Sequence, residues 1–277
     1  MVVFYLEILC ILLYGTASAC ATVGVLRDRP RSAWWGRGLF FGAAALHSAI
    51  VGIQSASTAG TLLSGPNIVM LASWVLAAVT VAGLIVTKRG LGLAAITAPV
   101  IALLMVTSQW MHILDPAGAD NRAFYEWPLL VPHIVLVFMA CACFAVSAAA
   151  SVMLLYQRRL MRRHSAQVLV TATPALDTLA KMARWAALVG LLLFTGAMLI
   201  GFTHMVAQFA AMTHAHCAGN LAYLAPRVAL SLVVAVLWAV YAVLSFLAPW
   251  VAGARTRALL CLGGFAAMLA LIAVSAG

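Results

Sequence analysis

The feature that most constrains this chain is a series of apolar segments, each long enough to cross a lipid bilayer. A helix rises 1.5 Å per residue, so about 20 apolar residues span the hydrocarbon core. Eight segments of the 277-residue sequence satisfy this requirement: approximately 2–26, 38–57, 67–87, 90–108, 129–156, 186–212, 228–251 and 258–276. The sequence therefore predicts an all-α, polytopic integral membrane helix bundle of about eight transmembrane helices, organised as a single transmembrane domain over 1–277.

Composition excludes the soluble classes of protein. Hydrophobic residues make up 66% of the chain and charged residues only 8%, whereas soluble domains carry about 25% charged residues. So few charges cannot cover a water-facing surface, which excludes a soluble enzyme and a soluble nucleic-acid binder despite the formal net charge of +10. The lipid bilayer is the expected surrounding, and no nucleic-acid partner is expected.

The first apolar segment is predicted to be a transmembrane helix and not a cleavable signal peptide. It is longer than the apolar region of a signal peptide, and no basic residues precede it. The sequence Ala17-Ser-Ala19 resembles a cleavage site, so cleavage is the alternative.

Basic residues predict the orientation, because they collect in cytoplasmic loops. With alternating crossings, all of the 16 lysines and arginines except Arg122 and Arg227 fall on one side. That side is predicted to be cytoplasmic, in the inner membrane of a bacterium. Both termini are then outside, together with the loops at 58–66, 109–128 and 213–227.

The cytoplasmic segment 165–185 is too polar to span the membrane, but it contains apolar residues at helical spacing. Thr173 is a candidate N-cap, Pro174 a candidate first helical residue, and Asp177 lies near the positive end of that helix. We expect an amphipathic helix at the membrane interface that leads into the sixth span. A docking site for a cytoplasmic partner is the alternative.

Histidines are the main candidate functional residues within the predicted spans. The sequence contains no GxSxG, HExxH or P-loop motif and no pair of carboxylates within a span, so we do not expect a self-contained enzyme. Besides Glu7, near one end of the first span, the ionisable residues within the spans are His47, His133 and His204. Ionisable residues at membrane depth are expensive to bury and are functional candidates.

Depth distinguishes the three histidines. Counting along oppositely directed spans places His133 and His204 at similar depth near the outer face, and His47 near the midplane. Two facing neutral imidazoles can ligate a haem of b type, while a hydrogen bond between helices is the structural alternative for each histidine. His112 and His164 are expected to be ordinary loop residues. His214-x-His216, beside Cys217 in a predicted loop, resembles only a weak metal site.

Several stretches resemble the cytochrome c assembly protein family (the CcsA/CcmC group). The stretches are 131–138, which contains His133, and 156–160, 176–182, 190–196, 238–241 and 250–257. Residues 45–47, which include His47, resemble the HemX/YpjD-like eight-helix branch, and the size of the chain fits that branch. The resemblance implies haem binding or handling at the outer face during cytochrome c maturation, with His133 as one ligand and His204 or His47 as the second. It also implies cytochrome c maturation proteins as partners.

Two departures from the family leave a second function open. The tryptophan-rich outer loop of haem-presenting members is replaced by 212–223, which contains no tryptophan, and Ser245–Pro249 stands where the family has another histidine. The alternative is a non-catalytic, HemX-like membrane scaffold or regulatory subunit without haem. A small-solute transporter has less support, because no pair of broken helices and no intramembrane charge pair is visible.

Overall fold

The computed structural model describes residues 2–27, 29–57, 65–86, 90–114, 129–162, 175–211 and 214–276. Nearly all of these residues lie in helices, and none of them lies in a strand. The helices are α1 (Val2–Leu26), α2 (Pro30–Ser57), α3 (Gly65–Val86), α4 (Leu91–Leu114), α5 (Leu130–Arg162), α6 (Leu176–Ala211), α7 (His214–Phe246) and α8 (Ala254–Ala276). The predicted all-α fold is confirmed.

All eight of these helices are long and apolar enough to cross a membrane. In hydrocarbon every backbone polar group must be satisfied within the segment, and a helix does this by itself. The protein is thus a multi-pass membrane protein in which the lipid bilayer is the natural surrounding. The orientation, with both termini outside, stays a prediction from the basic residues.

Several helices extend beyond the predicted apolar segments. Helix α2 begins at Pro30, a residue suited to the first helical turn, and α4 continues to Leu114. Helix α7 begins at His214. The predicted loop at 109–128 is therefore wrong for 109–114, which belong to α4, and the predicted loop at 213–227 is wrong for 214–227, which belong to α7. Hydropathy detects only the part of a helix that needs lipid, whereas backbone hydrogen bonding continues into polar turns. The predicted span 228–251 instead ends early, at Phe246, because Pro249 cannot continue a helix.

The described part of the predicted amphipathic segment is continuous with α6. Helix α6 begins at Leu176, and Leu179 is buried there while Asp177 and Lys181 are exposed. The Lys181 ammonium lies 2.8 Å from the Asp177 carboxylate, one turn away. Residues 176–185 therefore carry the expected apolar and polar faces. The candidate cap at Thr173 and the candidate first residue Pro174 lie outside the described residues.

The chain divides into two compact units, each described by itself. Unit 1 comprises Met1–Ala119 and Ala145–Ala183, and unit 2 comprises Asp120–Phe144 and Arg184–Gly277. In unit 1, α1 packs against α2 and α4, and α3 packs against α2 and α4. In unit 2, α7 packs against α8. The single transmembrane domain predicted over 1–277 stays a prediction.

Glycines bring α1 and α2 into close contact in unit 1. A Cβ atom added to Gly36 would lie 2.7 Å from the backbone nitrogen of Ala21, and one added to Gly24 would lie 2.8 Å from that of Ala33. Small residues drive association of membrane helices because they let the backbones approach and increase van der Waals contact. This approach fixes the pairing of α1 and α2, two helices that carry buried polar residues of the unit.

Stacked aromatic rings form the core of unit 2. The rings of Phe144 and Trp238 stack with their centroids 4.0 Å apart, and Phe194 packs edge-on against Phe144 at 6.1 Å. The Trp238 ring also covers Gly264 of α8, where an added Cβ would lie 3.1 Å from the ring. These contacts hold α5, α6, α7 and α8 together.

Candidate functional site

His133 packs against the backbone of α6 in unit 2. Its Nδ1 lies 2.9 Å from the carbonyl oxygen of Ala197. Because a carbonyl oxygen can only accept a hydrogen bond, Nδ1 carries the proton and donates it. The neutral ring then has its lone pair on Nε2, the nitrogen that a metal ion would use. A backbone carbonyl that fixes the tautomer in this way is a usual feature of metal-ligating histidines.

A glycine on α6 makes room for this ring. A Cβ atom added to Gly201 would lie 3.0 Å from Cε1 of His133. Ala197 and Gly201 are four residues apart and lie on the same face of α6. The imidazole therefore lies over a flat patch of small residues.

His204 follows Gly201 by three residues on the same helix. This separation corresponds to a rise of about 4.5 Å and to nearly the same helix face. Both imidazoles are partly buried. Because the His133 ring lies against Ala197 and Gly201, two of the three predicted histidines, His133 and His204, lie in the same region of unit 2.

His47 belongs to unit 1, where it is fully buried. Its Nδ1 lies 3.4 Å from the Tyr14 hydroxyl and its Nε2 lies 3.3 Å from the Ser73 hydroxyl. The Ser73 hydroxyl donates to the Met70 carbonyl oxygen at 2.7 Å, so Ser73 accepts from Nε2–H. Tyr14 in turn donates to Nδ1. Both ring nitrogens of His47 are therefore used in hydrogen bonds that join α1, α2 and α3.

A second polar cluster of unit 1 surrounds Glu7, which is 3% exposed. Gln54 of α2 donates from Nε2 to one carboxyl oxygen at 2.7 Å, and Gln109 of α4 donates from Nε2 to the other oxygen. Near the end of α4, Nε2 of His112 lies 3.3 Å from Oδ1 of Asn67. His112, expected in a loop, instead lies in the last turn of α4.

Sequence reasoning did not single out Tyr14, Ser73, Gln54 or Gln109. A usable signal was present for some of them, because Glu7 and Tyr14 are seven residues apart on α1, and His47 and Gln54 are seven apart on α2. A seven-residue separation places side chains on the same helix face. Polar residues repeated in this way on two neighbouring spans indicate a shared polar interface.

The remaining metal candidates are the cysteines and the other histidines. No cluster of three or more histidine, cysteine or acidic side chains is present in the described part of the chain. The five cysteines described (Cys10, Cys20, Cys141, Cys143 and Cys261) form no disulfide bond with one another. His164 lies outside the described residues, and His214 and His216 belong to the helical backbone at the start of α7.

Comparison with known proteins does not assign the chain to a family. No protein-family model, no curated protein and no solved structure matches the sequence or the fold significantly.

Proposed function

We propose that the protein handles haem near the outer face of a bacterial inner membrane, in the maturation of c-type cytochromes. The observation that carries the proposal is the hydrogen bond from Nδ1 of His133 to the Ala197 carbonyl. It fixes a proton on Nδ1, so that the neutral imidazole has its lone pair on Nε2, the nitrogen that an iron centre would bind. The setting in cytochrome c maturation, with its assembly proteins as partners, follows from the sequence resemblance.

The side chains around His133 fit a haem of b type. The two imidazoles of His133 and His204 would supply the donor atoms, and haem when bound would supply an iron centre that accepts nitrogen ligands. The Ala197 carbonyl orients the first ring, and Gly201 leaves it room to lie flat against α6.

A membrane scaffold or regulatory subunit without haem is the second candidate. The same hydrogen bond between His133 and the Ala197 carbonyl also ties α5 to α6. Polar contacts between membrane helices contribute to helix association without further chemistry. In that case His133 would stabilise the fold and bind nothing.

Absorption spectroscopy separates the two candidates. The protein, produced in cells supplied with haem and purified in detergent, should show a Soret band, and His133→Ala should lose it while still being produced. A wild-type protein that stays colourless after incubation with hemin would favour the scaffold.

A pair of glycine variants tests the position of the ring without removing a nitrogen. Gly201→Leu should displace the His133 imidazole and weaken haem binding, because its Cβ alone would lie 3.0 Å from the ring. Gly196→Ala is the matched control, since its Cβ would lie 3.7 Å from Leu136, an ordinary contact. Equal Soret bands in both variants would contradict a role for this position of His133 in haem binding.

A further inference from the structure

Glu7 is a buried carboxyl group tied to two other helices by amide side chains. Its two oxygens accept hydrogen bonds from Gln54 of α2 and Gln109 of α4, while Glu7 itself lies on α1. The carboxyl group thus lies where three helices of unit 1 meet.

Among the described residues, no neighbouring cation balances the charge of this group. Within the described part of the chain, no lysine or arginine forms an ion pair with Glu7. Amide donors stabilise a carboxylate, but an isolated buried charge remains costly in a surrounding of low polarity. The cost disappears when the carboxylate takes up one positive charge, either as a covalently bound proton or as a bound metal cation.

The two glutamines suit such uptake because an amide carries both a donor and an acceptor. A half-turn of the terminal amide group replaces the Nε2 donor by the Oε1 acceptor. Oε1 of Gln54 or Gln109 can then accept a hydrogen bond from a protonated Glu7. The same oxygens, together with the carboxylate, can also surround a hard cation, which prefers oxygen ligands. A single carboxylate matches a single positive charge.

The site lies near one end of unit 1. Glu7 lies in the second turn of α1, and Gln54 and Gln109 lie within about two turns of the C-terminal ends of α2 and α4. Both glutamines are partly exposed, although Glu7 is buried. The basic residues predict that this end faces outward. A cation from that side would reach Glu7 without crossing the membrane.

We propose that Glu7, Gln54 and Gln109 form a reversible binding site for a monovalent cation, either a proton or Na⁺. The site is independent of the histidines of unit 2 and of the haem proposal.

The described titratable groups on the helices around Glu7 do not carry a permanent positive charge. Cys10 and Tyr14 follow it on the same face of α1, and their thiol and phenol groups are ordinarily neutral at pH 7. Helix α2 contributes His47, whose nitrogens bind Tyr14 and Ser73. Helix α4 contributes His112, which contacts Asn67.

Infrared spectroscopy of the purified full-length protein tests the proposal directly. The difference spectrum between wild type and Glu7→Gln isolates the Glu7 carboxyl group from the five other acidic residues of the chain. In sodium-free choline buffer, the C=O band of a protonated carboxylic acid should grow as the pH falls and should be lost in Glu7→Gln. Added NaCl should diminish this band if Na⁺ competes with the proton, and leave it unchanged if the proton is the bound cation.

The proposal is wrong if the infrared band of Glu7 changes neither with pH nor with NaCl.

A second measurement tests the proposal if Glu7→Gln does not fold. Dicyclohexylcarbodiimide attaches to protonated carboxyl groups, and mass spectrometry of the wild-type protein should find it on Glu7, with labelling that falls as the pH rises or as NaCl is added. The exposed Asp177, paired with Lys181, is the internal control. Labelling of Glu7 that is absent or constant under all conditions would also overturn the proposal.

Discussion

The hydroxyl group of Tyr14 lies 3.4 Å from Nδ1 of His47, and the two rings meet edge to face with their centroids 6.0 Å apart. Both residues are fully buried in unit 1. A polar group buried without a partner costs free energy, and here each group supplies what the other needs. The pair links α1 to α2, and Ser73 extends the link to α3.

Replacing Tyr14 by Phe should destabilise the protein by about 1 kcal/mol, the usual size of a hydrogen bond between membrane helices or slightly more. The phenyl ring keeps its packing against Phe40, so the loss reports mainly the missing hydroxyl. The measurement is reversible unfolding in detergent. Tyr5→Phe is the matched control on the same helix, because Tyr5 is 62% exposed. Equal stabilities of the two variants would contradict the role given to the hydroxyl.

Gly36→Ala should destabilise unit 1 by about 1–3 kcal/mol, the usual cost of overpacking. Its Cβ would meet the backbone of Ala21 at 2.7 Å, and a backbone cannot move aside without separating α1 from α2. Gly42→Ala on the same helix is the control, since nothing lies within 4 Å of its Cβ. The control should be neutral or slightly stabilising, because alanine favours helices over glycine by up to about 1 kcal/mol. Unfolding experiments that rank the two variants in the opposite order would rule out this close approach.

The sequence predicted the helices well where apolar composition alone decides them. The predicted segment 2–26 coincides with α1, Val2–Leu26, because the whole helix lies within the apolar run. Helix α7 was predicted less well, since its first turns from His214 are too polar to register as a membrane span. Its end could have been placed from Pro249.

The site was less predictable, because its contacts join residues far apart in the chain. Counting residues from the helix ends placed His133 and His204 at a similar depth, and the contact between His133 and Gly201 agrees with that estimate. The contact between Glu7 and Gln109 spans 102 positions. No local pattern identifies such a partner, since it depends on which helices pack together.

The predicted orientation can be tested by fusion to alkaline phosphatase, which is active only outside the cytoplasm. A fusion after residue 277 should be active. A fusion near residue 160 should be inactive, because it follows the exposed arginines Arg158 and Arg159 at the end of α5, which are expected in the cytoplasm. Production of both fusions should be checked by immunoblot. The reverse pattern of activities would overturn the orientation and would place the Glu7 end of unit 1 on the cytoplasmic side.

The second haem ligand can be identified by methionine substitution. His204→Met should retain haem but shift its absorption spectrum and raise its reduction potential, because Met/His ligation raises the potential of a haem iron. His47→Met is the comparison: it should leave the spectrum unchanged, since both nitrogens of His47 are used within unit 1. It should instead lower the stability, because methionine provides no donor for the Ser73 hydroxyl and only a weak acceptor for Tyr14. A spectral change in His47→Met, with none in His204→Met, would contradict the pairing of His133 with His204 and would point to a separate site on the inner half of the membrane.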